Sequence, residues 1–357
     1  MHVEGGRNLY GGALQVLYLL RGLGVHGVQS ALVCPRGSAI ASTAGPGIEV
    51  MAIRMGGDAD FGIVGRLIAD IRRWRPDLVH LHSRIGADVM GGIAARLMGV
   101  PVVHTRRVDN PEPRWLVASK YRLHDRVVAI SEAIGQVLLD EGLPARKLRV
   151  VRSAVVVEEF ERPCARPRVL AALGLEPDAL LVGMVAQLIE RKGHRFVLDA
   201  MPALIARHPN LQLVLFGRGP LAGQIQQRVN AGGLGAHVHL AGFRADLPEI
   251  LPCLDLLVHP ATMEGLGVSL LQASAAGVPI IASRAGGIPE AVRDGVNGLL
   301  VPPGDVAGLA DAMATLLDDG ALRYRLGAGG RALVRDEFSP EVMVAGNLAV
   351  YRELVSA

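Results

Sequence analysis

The sequence predicts an α/β protein of two doubly wound halves, and three observations carry that prediction. Short β-branched runs alternate with amphipathic helical stretches along nearly the whole chain, the pattern of βαβ units around parallel sheets. At 357 residues the chain exceeds one ordinary core and suits two domains of ~150–200 residues. Near the middle, the charged stretch Glu158–Arg168 carries two prolines and has no periodicity, as a linker does.

In the first half the predicted strands are Val28–Cys34, Glu49–Ile53, Leu78–Leu81, Val100–His104 and Arg126–Ile130. Helices are expected between them at Ala13–Leu23, Gly62–Arg73, Gly86–Met98 and Ser131–Glu141. The second half repeats the scheme. Strands are expected at Leu180–Ala186, Leu211–Phe216, His237–Ala241, Leu256–His259 and Pro279–Ser283. The helices expected with them are Arg195–Arg207, Leu221–Ala231, Leu247–Cys253, Val268–Ala276 and Val306–Asp318. This gives domains 1–160 and 161–338, followed by a helix at 339–357 that opens on Ser339-Pro340 and is expected to pack back toward the first domain. A first strand should precede the glycine loop Gly5–Gly12, yet only Met1–Glu4 is left for it, so the chain reads as clipped there.

Composition narrows the function classes. Half of the residues are hydrophobic and 20% charged, a globular balance rather than a disordered one. No apolar run reaches the ~18–20 residues of a membrane span, and the start lacks the basic and apolar regions of a secretory signal. Residues 1–160 carry 20 Lys/Arg against 15 Asp/Glu, and the remainder 17 against 19, within a net charge of +3. That mild excess suits an anionic partner of the first half and is too small to imply nucleic acid. Cys34, Cys164 and Cys253 form no CxxC and no metal spacing, and read as thiols of a reducing compartment. Neither they nor the histidines predict a metal site.

In open α/β sheets ligands bind beyond the carboxyl ends of strands, where helix N-termini attract phosphate. Four loops there are glycine-rich: Gly5-Gly-Arg-Asn-Leu-Tyr-Gly-Gly12, Gly217-Arg-Gly-Pro220, Glu264-Gly-Leu-Gly267 and Ala285-Gly-Gly-Ile-Pro-Glu290. None is a Walker A loop, and none fits GxGxxG with an acidic residue ~20 positions on, so an NTPase or a dehydrogenase is not supported. Each alone fits a tight turn as well as a phosphate cradle. Their joint order is more specific. Gln187-Leu-Ile-Glu-Arg-Lys-Gly193, Phe216-Gly-Arg-Gly-Pro-Leu221, Gly242-Phe-Arg244, His259-Pro260, Glu264–Gln272, Gly286-Gly287 and Gly295–Gly304 follow successive strands.

Over roughly residues 175–335 this series closely resembles glycosyltransferase family 4, the retaining group with the GT-B fold of two Rossmann-like domains facing each other across a cleft. The likeness is weaker but consistent in the first half, at the opening glycine loop, Pro76–His82, Pro101–His104 and Val127–Ser131. The resemblance implies a nucleotide-sugar donor and no cofactor. Negative charge building on the leaving diphosphate then calls for cations, backbone N–H groups and a helix N-terminus. Lys192 with Arg191 beside it supplies the cation, and Gly267 opens the helix at Val268. By resemblance Glu264 holds a donor-sugar hydroxyl, Gln272 the ribose, and the backbone of Phe243 and Arg244 the base. Gly12, Gln187, Gly217, Gly265 and Leu266 complete the expected donor set. On the acceptor side stand His82, His104, Arg106 and Arg107. His104 is expected beside the reacting sugar, which makes Lys192, Glu264 and His104 the catalytic candidates. No dedicated general base is implied, because the departing phosphate oxygen can take the acceptor proton on the same face.

Two departures stand out. The family places a second glutamate after seven intervening residues, where this chain has Gln272, and an arginine five residues before the lysine, where it has Gln187. An amide still accepts from ribose hydroxyls but lacks a charge-assisted bond. The resemblance implies transfer of a hexose-type sugar from a UDP-sugar, or next a GDP-sugar, to a lipid- or polysaccharide-linked acceptor of the bacterial envelope (lipopolysaccharide or exopolysaccharide). The setting would be the cytoplasm or the inner membrane face. The rivals are a non-catalytic sugar-nucleotide-binding homologue and an epimerase of the same fold. The basic, aromatic-bearing stretch Arg114–Arg126 and the run Arg72-Arg-Trp-Arg75 fit an anionic membrane surface and a solvated helix face equally.

Overall fold

The computed structural model describes residues 1–9, 11–57, 60–82 and 87–355. Tyr10 of the opening glycine loop and Gly86 at the start of an expected helix lie outside them. The chain divides into two compact units, Met1–Ala154 with Pro340–Ala357, and Val155–Ser339.

The sheet of the first unit is built from β1 (His2–Val3), β2 (Ser30–Pro35), β3 (Ile48–Ile53), β4 (Val79–Leu81), β5 (Val102–Arg106), β6 (Arg126–Ala129) and β7 (Leu148–Val150). Its order is β3-β2-β1-β4-β5-β6-β7 and every pairing is parallel. Met1–Glu4 therefore does supply a strand, short but central, with His2 opposite both Leu32 and His80. Crossover helices cover both faces of such a sheet, so its strands are apolar nearly throughout. All six residues of β2 and all five of β5 are buried. The helix Pro340–Val355 lies against the helix Gly11–Val25 so closely that a Cβ on Gly22 would meet Val344 Cγ2 at 2.4 Å.

The second unit holds β8 (Leu180–Val185), β9 (Leu211–Phe216), β10 (Val238–Gly242), β11 (Leu256–His259), β12 (Ile280–Ser283) and β13 (Gly298–Val301). They pair in parallel in the order β10-β9-β8-β11-β12-β13. Leu and Val side chains of β8, β9 and β11 form one core with the helices His194–Arg207 and Val306–Asp318. Asp305 caps the second of these helices by accepting from Gly308 N at 2.9 Å.

Several elements were not foreseen. β7 is a three-residue, half-buried edge strand, and β13 begins on a glycine that reads as a loop until β12 pairs with it. The expected linker contains the start of a helix, Arg166–Leu173, with Pro167 in its first turn and Gly174 closing it in the left-handed region. Arg166 donates to Cys253 O, Ala179 O and Asp255 Oδ2 at 2.7–2.8 Å. This docking brings Cys164 beside Cys253, and the two form a disulfide. The expectation of three free thiols is corrected accordingly: only Cys34 is a buried free thiol. The inference of a reducing compartment loses that support. Among the described residues no helix is long and apolar enough to cross a membrane.

Candidate active site

In the second unit the strand order reverses at β8, whose neighbours β9 and β11 lie on opposite sides. Loops leaving β8 and β11 diverge there and open a crevice at the carboxyl ends. After β8 the chain makes a short 3-10 turn, Glu190–Lys192, and turns back at Gly193 with φ +74°. A Cβ on Gly193 would lie 2.0 Å from Pro260 O, so only glycine lets this turn reach the loop after β11. Thr262 N closes the approach on Arg191 O at 2.9 Å.

That approach brings together the two residues on which the sequence reading laid most weight. Lys192 Nζ stands 2.5 Å from Glu264 Oε2, with the two side chains only 10% and 15% exposed. His259, the last residue of β11, donates from Nε2 to the same oxygen at 2.9 Å. Gly265 N reaches Oε1 at 3.2 Å. Burial opposes ionisation of Glu264, but the His259 hydrogen bond and the charges of His259 and Lys192 outweigh it and hold the carboxyl at about 2. His194, buried one residue past Gly193, is pushed down to about 4, first by burial and then by His259 and Lys192.

The main chain of the Glu264 loop is fixed separately. Gly287 N donates to Glu264 O at 2.9 Å. A Cβ on Gly286 would come within 2.3 Å of Glu264 O, and one on Gly287 within 2.1 Å of Gly265 O. Leu266 is buried, and Gly267, at φ +90°, opens the helix Val268–Ala276 without a side-chain cap. Leu270 N donates to Gly267 O at 2.9 Å, which leaves the amides of Val268 and Ser269 for a ligand. Gln272 is half-buried one turn further on.

Gly217, after β9, sits at φ +148°, where a Cβ would clash with Ala186 O at 1.9 Å. The backbone of this loop thus lies flat against the chain leaving β8. Arg218 stacks over the exposed Phe243 ring at 5.5 Å. Arg244 forks onto Asp246 at 2.7 and 2.6 Å, which commits its side chain and leaves its backbone for the expected contact. Gln187 is exposed, and Arg191 is half-buried beside Lys192.

In the first unit the reversal falls between β1 and β4. His2, His80 and His82 share one face there because His2 pairs with His80 and side chains alternate along a strand. His2 Nδ1 and His82 Nε2 are 3.0 Å apart, while His80 bonds Tyr351 Oη and Thr105 Oγ1, each at 2.6 Å. Each of the three offers a nitrogen within 4.8 Å of the others, and these hydrogen bonds account for the grouping. Burial lowers all three pKa values well below the usual imidazole range.

The acceptor-side candidates do not gather as expected. His104 lies inside β5 opposite Leu81, so it faces away from His80 and His82 toward Tyr121 and His124, with ring centroids at 5.9 and 5.1 Å. Both of its ring nitrogens are buried without a hydrogen-bond partner. Arg106 is fully enclosed: it donates to Val108 O and Asn110 O and pairs with Glu112 at 3.0 Å. Arg107 is half-buried, its Cδ 3.4 Å from where a Cβ on Gly12 would stand. In the basic stretch, Lys120 turns inward to Asp88 and Glu112 at 2.9 and 3.2 Å, leaving Arg114, Trp115 and Arg122 outside.

Sequence reading gave no role to His259, His194 or Gly193. The only trace of the first was a histidine at a strand end before a proline; its distance from Glu264 is a product of folding.

Comparison with known proteins identifies the family. The model of "Glycosyltransferase Family 4" matches residues 10–159, and that of "Glycosyl transferases group 1" matches residues 176–319. A D-inositol 3-phosphate glycosyltransferase of Saccharomonospora viridis is 31% identical over 309 residues, 79% of this chain and 71% of the relative. The lipopolysaccharide core biosynthesis mannosyltransferase LpsB of Rhizobium meliloti is 28% identical over 303 residues, 78% of this chain and 84% of the relative. Among solved structures, HepE of Anabaena in complex with UDP superimposes with a TM-score of 0.85 at 21% identity, covering 100% of this chain and 99% of that one. With its two parallel Rossmann-like sheets, the chain belongs to the family 4 glycosyltransferases of GT-B fold and is a sugar-transferring enzyme.

Proposed function

We propose that the enzyme transfers a hexose-type sugar, with retention at the anomeric carbon and without a metal, from a nucleotide-diphosphate donor to a lipid- or polysaccharide-linked acceptor of the bacterial envelope. The observation that carries this reading is the Lys192–Glu264 pair at the reversal point of the second sheet. A buried cation beside an uncapped helix N-terminus at Gly267 is what a leaving diphosphate requires. Glu264, kept ionised, is a strong acceptor for a sugar hydroxyl. Gly217 lets backbone approach the diphosphate, and Phe243 presents an exposed face beside Arg218 for the base.

A UDP-sugar is the first choice of donor and a GDP-sugar the second. HepE, solved with UDP and with UDP-glucose, supports the first, and the mannosyltransferase LpsB supports an envelope acceptor. His82 and Arg107 are assigned to the acceptor side, and the exposed Trp115, Arg114 and Arg122 to contact with an anionic membrane at its inner face.

Calorimetry against UDP-, GDP- and ADP-sugars, paired with turnover of each, tests the reading. The expected result is saturable binding of a UDP-sugar with release of UDP and no loss of activity in EDTA. Equal indifference to all three nucleotides, or dependence on a divalent ion, overturns it.

A further inference from the structure

Lys192 and Glu264 are each assigned to the donor, yet in the structure they satisfy one another. A diphosphate drawn into the crevice competes for the ammonium of Lys192, because phosphate oxygens carry more charge than one carboxylate oxygen. Once Lys192 turns to phosphate, Glu264 loses its cation. A largely buried carboxylate next to a polyanion would then swing away or take up a proton unless something else held it.

His259 is placed to hold it. Its Nε2 lies 2.9 Å from Glu264 Oε2, and because a carboxylate only accepts, the ring must carry its proton on Nε2. The ring is 1% exposed, and its Nδ1 is buried without a partner, so no competing bond draws it elsewhere. It ends β11, a central strand, and is itself held in register opposite Ala282 of β12. Gly286 and Gly287 fix the main chain of the Glu264 loop but leave its χ angles unset. The remaining bond, from Gly265 N, is long at 3.2 Å.

We infer that His259 is a positioning residue for the donor sugar: it keeps the Glu264 carboxylate aimed and ionised after Lys192 has moved to the diphosphate. This rests on the assignment of Glu264 to a sugar hydroxyl. In this role His259 touches no substrate and serves only the sugar half of the donor.

The test compares affinity for UDP-glucose with affinity for UDP alone, by calorimetry on the full chain. His259→Leu keeps the ring's bulk roughly and removes its donor. It is expected to weaken UDP-glucose tenfold or more while affecting UDP much less. His259→Gln, whose amide nitrogen can occupy the Nε2 position, is expected to recover most of the loss. In the Glu264→Gln background, His259→Leu should add little, since the group it positions is already altered. Equal weakening of both ligands by His259→Leu, no rescue by His259→Gln, or full multiplication of the two substitutions overturns the inference. If Glu264→Gln itself leaves the preference for UDP-glucose over UDP intact, the assignment of Glu264 falls and the inference falls with it. A loss with Glu264→Gln but none with His259→Leu sinks the inference alone.

Discussion

The two sheets reverse strand order in the same way, yet their reversal points are built from opposite electrostatics. In the second unit a lysine and a histidine converge on one carboxylate oxygen, and the carboxyl is held at about 2. In the first, His2, His80 and His82 are linked to one another or to hydroxyls, and burial keeps them uncharged. A shared topology supplies the crevice, and the residues mounted in it decide what it can bind. The crevice of the second unit suits a ligand that brings charge of its own, whereas the neutral histidines of the first offer hydrogen bonds beside the charge of Arg107.

The most severe way to break this contrast is to remove the cation. Lys192→Ala is expected to cut sugar-nucleotide turnover by roughly 10²–10³, the scale seen when one transition-state stabilising group is lost. Far-UV circular dichroism should stay native. Turnover near that of the unaltered enzyme would remove Lys192 from the chemistry.

Next in size is a backbone change that leaves every charge in place. Gly287→Ala sets a Cβ 2.1 Å from Gly265 O and must displace the Glu264 loop. A loss of about 2–4 kcal/mol in urea melts and a matching loss of donor affinity are expected. An unchanged midpoint would show that the loop is not locked there.

Acid separates the two units. A histidine with a depressed folded value is neutral when folded but protonated when unfolded between its two pKa values. The unfolded chain therefore binds more protons, and stability falls as pH drops through that window. For His194 the window runs from 6.5 to about 4, a loss of about 3 kcal/mol. The first unit holds five such residues: His2, His80, His82, His104, and His124 at about 3. Glu264 acts lower, its contribution present above 4.5 and lost as pH falls toward about 2. Hydrogen exchange at pH 7 and pH 5 should show protection lost first in the first unit. Earlier loss in the second would contradict the contrast.

Tyr351→Phe leaves His80 Nδ1 unpaired in a buried site and should cost about 1–2 kcal/mol of stability by chemical denaturation. The smallest expected effect is a gain. Gln272→Glu restores a charged acceptor for ribose and should tighten donor binding by roughly two- to tenfold, read by calorimetry. A large loss would move Gln272 away from the ribose.

Much of the fold was legible because parallel strands buried on both faces must be apolar runs, and crossover helices must be amphipathic. Of the elements that escaped, β7 and β13 are short and owe their conformation to a neighbouring strand, whereas the helices Arg166–Leu173 and Gly320–Glu337 were simply not read from the sequence. In the site, Lys192, Glu264 and Gly267 could be named because the order of their loops is a property of the chain itself. His82 and His104 both stand out as histidines near strand ends, but only the register shows that they face opposite sides of the sheet.

The sequence by itself determined the two α/β halves, the family and the loops that carry the chemistry, since periodicity and motif order are local and linear. Tertiary structure alone decided that His259 and Lys192, 67 positions apart, share one oxygen of Glu264. It also decided that Arg106 and Lys120 turn inward to carboxylates and that Cys164 meets Cys253. The physical reason is common to all three. Such partners are chosen by strand order, by the docking of loops and, at Gly193, by close backbone approach, and none of these is written in the identity of the partners.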